Sequence, residues 1–182
     1  PAAGILRDAL MAKLDRANGR AALYPPALFR QVVEVNLVAP IYWAAELVAR
    51  IAEARAASGL RRWSPPEEDA GSIVFVGSIA AKGNAGQVAY SAAKAGLAAA
   101  AVSLAKEAAY HGIRAAVVHP GMTDTPMVRA LGEKFLYEQV FARTRLGRLL
   151  RPEEVAAAIA FLIENPAVDA GLWLGAGWEP PP

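Results

Sequence analysis

Apolar residues recur at helical spacing from Ala27 to about Ala57, with Leu28, Val32 and Val35 leading the stripe, and predict a long amphipathic helix. Pro40 lies inside it, so a kink is expected near Asn36. The run Ile73-Val74-Phe75-Val76, β-branched or aromatic throughout and bounded by glycines, predicts a buried strand. An Ala-rich segment from about Val88 to His111 has strong helix propensity, and Gly112 is its stop signal. Ile113 to Val118 reads as a second buried strand, ending at His119-Pro120-Gly121. Strand, helix and strand with short joints predict parallel pairing. Pro152, Glu153 and Glu154 open a last helix, which carries the apolar stripe V-A-A-A-I-A-F-L-I, and Gly171 to Leu174 reads as a final short strand. Residues 6–25 read as a loop or a short helix, broken by Asn18-Gly19 and Pro25-Pro26, and 58–71 as a solvated Pro-rich loop.

Composition narrows the function classes. At 182 residues and 55% hydrophobic, the chain can bury one core and reads as a single domain. No uninterrupted apolar run approaches the ~20 residues of a membrane span, no signal-peptide layout is present, and no membrane partner is expected. Zero cysteines exclude disulfides and thiolate metal sites and fit a reducing, cytoplasmic compartment. His111 and His119 alone leave little material for a metal cluster, so no metal is expected. The net charge of +2, without a basic stripe interleaved with aromatics, argues against nucleic acid. Trp43, Trp63, Trp173 and Trp178 read as core or interface material.

The candidate chemistry centres on Ser78 to Lys94. Ser78 follows a strand, where open α/β sheets put their ligands. Tyr90 and Lys94 are four apart near a helix start and share one face. A free phenol titrates near ~10; an ammonium one turn away and the helix N-terminus both favour its ionised form. With a serine hydroxyl beside it, the set suits proton transfer at a carbonyl or carbinol carbon. Y-x-x-x-K also arises by accident in helices; the strand-end serine and the loop carrying Gly83, Asn84 and Gly86 weigh against that reading.

In this order, Asn36, Ser78, Tyr90, Lys94 and His119-Pro120-Gly121 resemble the short-chain dehydrogenase/reductase superfamily over nearly the whole chain, closest in wording to its 3-oxoacyl-carrier-protein reductase-like members. The resemblance implies an α/β fold: the C-terminal portion of a Rossmann-like doubly wound parallel sheet in three layers, with residues 1–182 forming one incomplete domain. Pro1 to Ile5 matches the family's N-N-A-G-I segment beside the cofactor at Ala3, Gly4 and Ile5, while Pro1 and Ala2 replace the asparagines. The Gly-rich phosphate turn is absent from the sequence, so an upstream segment is expected, and these 182 residues alone are expected to be unstable and inactive.

The resemblance further implies an NAD- or NADP-dependent enzyme interconverting a carbonyl and a secondary alcohol, with an acyl thioester among its substrates. Tyr90 becomes the acid/base, Lys94 lowers its pKa and grips the nicotinamide ribose, Ser78 orients the substrate oxygen, and Asn36 holds a relay water at the helix kink. Pro120 and Gly121 shape the nicotinamide pocket, and Thr123 and Thr125 receive the carboxamide; Thr123, Asp124 or Thr125 before Pro126 equally suits a plain helix cap. Residues 126–150 form a helical flap whose Arg129, Lys134, Arg143, Arg145, Arg148 and Arg151 suit an acidic carrier or coenzyme A phosphates, or simply a solvated face. A homodimer or tetramer on the two long helices is expected. The closing D-A-G-L-W-L-G-A-G-W is shorter than the family's T-G-x-x-x-x-V-D-G-G and lacks its aspartate. The contrasting reading is a non-catalytic half-domain that acts only when assembled with a partner.

Overall fold

The computed structural model describes residues 4–168 and 170–174. Pro1 to Ala3, the segment from Gly175 with Trp178, and the Arg143 side chain lie outside that description. Three parallel strands, β3 (Gly71–Val76), β4 (Ile113–His119) and β5 (Ala170–Trp173), form a sheet in the order β3-β4-β5. Val76 pairs with Val118, and His119 pairs with Trp173.

Alternation along the strands sorts the core into two faces. Ile73, Phe75, Ile113, Ala115 and Val117 face Ala44 of α2 (Ala39–Ala57) and Leu97, Ala101 and Ala108 of α3 (Val88–Ala108). Val74, Val76, Ala116 and Val118 face Ala158, Ile159 and Leu162 of α6 (Pro152–Glu164). Helices thus cover both sides, the three-layer α/β arrangement expected. Arg114 secures the second side: its guanidinium donates to Leu162, Ile163 and Asn165 carbonyls at the end of α6 and pairs with Asp69 ahead of β3.

The long N-terminal helix is interrupted where Pro40 predicts a kink. α1 (Pro26–Val33) widens into a π turn over Glu34–Val38 before α2 begins, with the Ala39 N–H reaching back to Glu34 O. Pro40 has no N–H for the ordinary bond to Asn36, and the widened turn accommodates the gap. The buried positions Val32, Asn36, Pro40 and Ala44 follow one another every fourth residue through this join.

Several expectations need correction. Residues 6–25 contain no helix: β1 (Ala12–Leu14) and β2 (Ala21–Leu23) form an antiparallel hairpin, exposed throughout. Its turn is closed by Asp15, which accepts from Ala17 N–H and Asn18, and by Gly19 at φ +69°. The 58–71 loop is anchored rather than merely solvated. Arg55, buried in α2, donates to Glu67, and Trp63 covers Gly112. A Cβ at Gly112, already at φ +73°, would collide with the Trp63 indole.

The expectation about membrane length is also revised. Pro26–Ala57 and Val88–His111 are long and apolar enough to cross a bilayer by length and composition, both with mean hydropathy 1.4. Their charges break continuous runs but are too sparse to lower the average. α3 nevertheless packs Leu97 and Ala101 on Phe75 and Val117, as a core helix does. The outer edge of β3 pairs with no other strand among the described residues. Beside it lies a cleft of about 560 Å³ lined by Trp43, Leu47 and Ile73, with Trp43 70% exposed.

Candidate active site

β3 and β4 end side by side, and Gly77 N–H extends their pairing to Val118 O at 2.7 Å. Ser78 follows in extended conformation at the carboxyl edge of the sheet. Its Oγ accepts the Ala80 N–H at 3.1 Å, opening the short turn Ile79–Lys82. The hydroxyl proton stays free to meet another acceptor.

Tyr90 and Lys94 enter from the first turns of α3. Lys94 is 6% exposed; its Nζ donates to Val76 O at 2.8 Å and lies 5.6 Å from the Tyr90 ring centroid. The ammonium therefore ties the helix to the end of β3. Burial pushes its pKa down to about 8. Burial also pushes the Tyr90 phenol above its ordinary value; the Ser78 hydroxyl opposes this by hydrogen bonding and Asp8 adds to it by charge. Ser78 Oγ is thus near enough to bear on the phenol, although its close bond is to Ala80. Lys94 is expected from sequence to acidify Tyr90, and here the shift runs the other way: burial is the largest influence on the phenol, and burial likewise disfavours the Lys94 ammonium.

Asn36 is fully buried in the π turn. Its Nδ2 donates to Val32 O at 2.9 Å and Ile5 O at 3.0 Å, and its Oδ1 accepts the Ile5 N–H at 3.3 Å. Gly4 lies against it; a Cβ there would come within 2.8 Å of Oδ1. The Asn36 side chain thus fastens the Gly4-Ile5 segment to the helix. Its hydrogen bonds go to that segment and to Val32 rather than to Tyr90 or Lys94.

Beyond β4, Pro120 O accepts the Ile79 N–H at 3.0 Å, joining the Ser78 turn to the Pro120-Gly121 segment. Thr123 forms a parallel bridge with Leu150. The two bonds of that bridge run from Asp124 N–H to Leu150 O and from Leu150 N–H to Met122 O, and use neither polar group of Thr123 itself. Thr123 Oγ1 donates to Gly121 O. Thr125 caps α4 (Pro126–Arg129), accepting the Val128 N–H, and its hydroxyl leans on Thr123 O. That hydroxyl is engaged as a helix cap, the plainer of its two readings.

The flap consists of short pieces: α4, α5 (Glu133–Phe135), a π turn over Leu136–Val140 and a further turn. Its positive charges are largely matched. Arg129 pairs with Asp124, Lys134 with Glu138, and Arg148 and Arg151 with Glu154. Hydrogen bonds from Arg148, and then from the Arg151 N–H, hold the Glu154 carboxyl down to about 2. An open cleft of about 670 Å³ lies among Arg129, Tyr137, Phe141 and Arg148. Neither this cleft nor the one beside β3 is lined by Ser78, Tyr90 or Lys94.

Sequence reasoning placed His119 in the motif set but gave it no role in this group. It is 2% exposed, stacks on Trp173 with ring centroids 3.8 Å apart and planes at 6°, and sets Nδ1 against the Ser78 backbone. Lys82 Nζ lies 4.4 Å from the centroid of the Trp173 ring. The available signal was positional: His119 ends the strand paired with the one that delivers Ser78.

Known proteins carry the same framework. A family model described as Enoyl-(Acyl carrier protein) reductase matches residues 9–168. Carbonyl reductase family member 4 of Xenopus tropicalis is 37% identical over 180 residues, covering 94% of this chain and 64% of the relative. The 3-oxoacyl-[acyl-carrier-protein] reductase of Homo sapiens is 44% identical over 116 residues, covering 59% and 48%. Among solved structures, 3-hydroxyacyl-CoA dehydrogenase type-2 from Mycobacterium avium superposes with a TM-score of 0.82 at 26% identity, covering all of this chain and 67% of that one. The chain therefore spans about half to two thirds of the length of these relatives. A parallel sheet that delivers Ser78, a helix that presents Tyr90 and Lys94 beside it, and sequence matches running through both make the chain a member of the short-chain dehydrogenase/reductase superfamily.

Proposed function

We propose that this chain acts in an NAD(P)-dependent oxidoreductase that interconverts a carbonyl and a secondary alcohol, with 3-oxoacyl thioesters as the substrate class. One observation carries the reading: a phenol and an ammonium, both largely withdrawn from solvent, stand beside a serine hydroxyl at the carboxyl edge of a parallel sheet. The relatives' names, which include reductases of carbonyl and acyl-carrier substrates, support the substrate class.

The residues present suit the nicotinamide end of such a cofactor. The buried Lys94 ammonium spends one of its three N–H groups on Val76 O and can give others to ribose hydroxyls. The Thr123 N–H, left out of the bonds to Leu150, suits a carboxamide oxygen, and Pro120 and Gly121 border the same strand end. The Thr125 hydroxyl, spent on its cap, is a weaker candidate.

The bound nicotinamide supplies or accepts the hydride. Ser78 Oγ–H donates to the substrate oxygen and fixes its direction. The Tyr90 phenol, whose protonated form burial favours further, gives that oxygen a proton as reduction builds charge there. Lys94, behind the ring, offsets the phenolate left after transfer. The Asn36 carbonyl, in the widened turn, is the proposed anchor for a relay water. We place the protein in the cytoplasm, supported by a cysteine-free sequence, as a homodimer or tetramer through its long helices, supported by the exposed Tyr42, Trp43 and Leu47 of α2.

The deciding experiment is NAD(P)H oxidation with a 3-oxoacyl thioester by the full-length protein and its Tyr90→Phe variant. Loss of a general acid is expected to cut kcat by about 10²–10⁴-fold; unchanged turnover removes Tyr90 from the mechanism. The β3 edge, unpaired among the described residues, and its apolar cleft favour a second reading, in which this portion serves assembly alone. Absence of turnover with every carbonyl substrate, alongside a stable complex, supports that one.

A further inference from the structure

Ser78 N–H and Ser78 O both aim at one atom, His119 Nδ1, at 3.3 Å and 3.1 Å. A ring nitrogen serves only one of them at a time: its lone pair accepts the N–H, or its own proton goes to the carbonyl. The other partners of Ser78 decide between the two. Ser78 O already accepts the Ala81 N–H at 3.0 Å. Ser78 N–H has no other acceptor among the described residues, and a partly buried amide left unpaired is costly. The arrangement that satisfies both groups leaves Nδ1 unprotonated and accepting.

The ring is held for this task on every side. Gly77 leaves the space it needs, because a Cβ there would stand 2.5 Å from Nδ1. Gly171 admits β5 against Val117, and β5 brings the Trp173 ring flat onto the imidazole. The charged groups facing His119 are Lys82, from the turn after Ser78, and Lys94, from α3. Both are cations, and with burial they hold the imidazole below its ordinary pKa, against the pull of the Ser78 carbonyl.

We propose that His119 is a positioning residue: as a neutral imidazole accepting the Ser78 N–H, and clamped by Trp173, it fixes the backbone that aims the Ser78 hydroxyl at the reacting oxygen. The role of Ser78 in that statement rests on the function proposed above; the His119–Ser78 link does not. Protonation of Nδ1 turns an acceptor into a donor and releases the Ser78 N–H. The link is therefore lost as pH falls below the ordinary histidine value.

The test begins with the wild-type protein. Long-range ¹⁵N–¹H spectra of the imidazole report its tautomer, and the Ser78 amide shift is followed as pH falls. An unprotonated Nδ1 at neutral pH, with the Ser78 amide moving as His119 titrates, is the expected result. A proton on Nδ1 at neutral pH overturns the proposal, whatever the enzyme does. Two variants extend the test. His119→Phe keeps a ring for Trp173 but no acceptor, and His119→Asn places an oxygen near the position of Nδ1. In the full-length protein, His119→Phe is expected to shift the Ser78 amide and lower kcat roughly tenfold or more, with His119→Asn restoring both, since small misplacements of a reacting group carry large rate penalties. A Phe variant with native Ser78 shift and native kcat refutes the proposal. A correct tautomer and amide response with no reductase activity in any form leaves the link standing and rejects the function it was tied to.

Discussion

Lys94 offers the sharpest measurement on this fold. Its ammonium, 6% exposed, titrates near 8 instead of at 10.5 because burial disfavours the charge. At ~1.4 kcal/mol per pH unit, the charged folded state bears a penalty on the order of 3 kcal/mol. The direction follows from proton counting. Between about pH 8 and 10.5 the unfolded chain keeps the Lys94 proton and the folded chain releases it, so stability rises with pH across that window. Below pH 8 the penalty is present in full. Tyr90 acts oppositely, but only above about pH 10, where the unfolded phenol ionises first. Urea denaturation of wild type and Lys94→Met from about pH 7 to pH 9.5 isolates the effect, because every other lysine is common to both. The wild type is expected to gain about 2 kcal/mol relative to the variant over that range. At pH 7 the two should lie closer than the penalty alone implies, since methionine also gives up a charge-assisted bond to Val76 O worth about 1.5–3 kcal/mol. Parallel pH dependences for the two proteins would refute the claim that this amine is buried and depressed.

Other substitutions probe the same framework. Gly77→Ala puts a Cβ 2.5 Å from His119 Nδ1 and 3.0 Å from a Val117 methyl, and should lower stability by about 1–3 kcal/mol in chemical denaturation, with the His119–Trp173 stack displaced in NMR spectra. Asn36→Ala removes the bonds to Ile5 and Val32 and should cost about 1–3 kcal/mol, with faster amide exchange at Ile5. Glu67→Ala strips Arg55 of its carboxylate partner in a mostly buried position; a loss of about 2–4 kcal/mol is expected, and a loss below about 0.5 would mean that water already screens the pair.

The framework was legible where sequence and packing agree. Ile73 to Val76 and, Arg114 apart, Ile113 to Val118 are apolar on both faces because helices cover both faces, and such runs announce themselves. The Tyr90–Lys94 spacing gave the shared helix face, and Pro40 gave the break near Asn36. The hairpin escaped because its strands bury nothing, so no alternation marks them; Asn18-Gly19 was the one turn signal on view. The direction of the Tyr90 shift was out of reach, since it depends on how far each group is withdrawn from water, which spacing alone does not record. The role of His119 escaped for a similar reason. Its partners, Ser78 and Trp173, are brought to it by sheet register, and no local pattern around His119 encodes that meeting.

The widened turn after α1 has a consequence for how this chain tolerates change in length. Inward-facing positions come every fourth residue from Val32 to Ala44, whereas an undisturbed α-helix would carry such a series about 40° further round its axis at each step. The π turn takes up part of that drift. Deleting a single residue from 34–38 would remove the extra residue that the π turn carries, let the helix close into a regular coil, and leave everything after it nearly in phase. Ala44 would keep its inward direction, whereas the same deletion within the regular turns of α2 would rotate the residues after it by about 100° and drive other side chains towards the sheet. A one-residue shortening should therefore disturb the facing of this helix least at its join and most within α2.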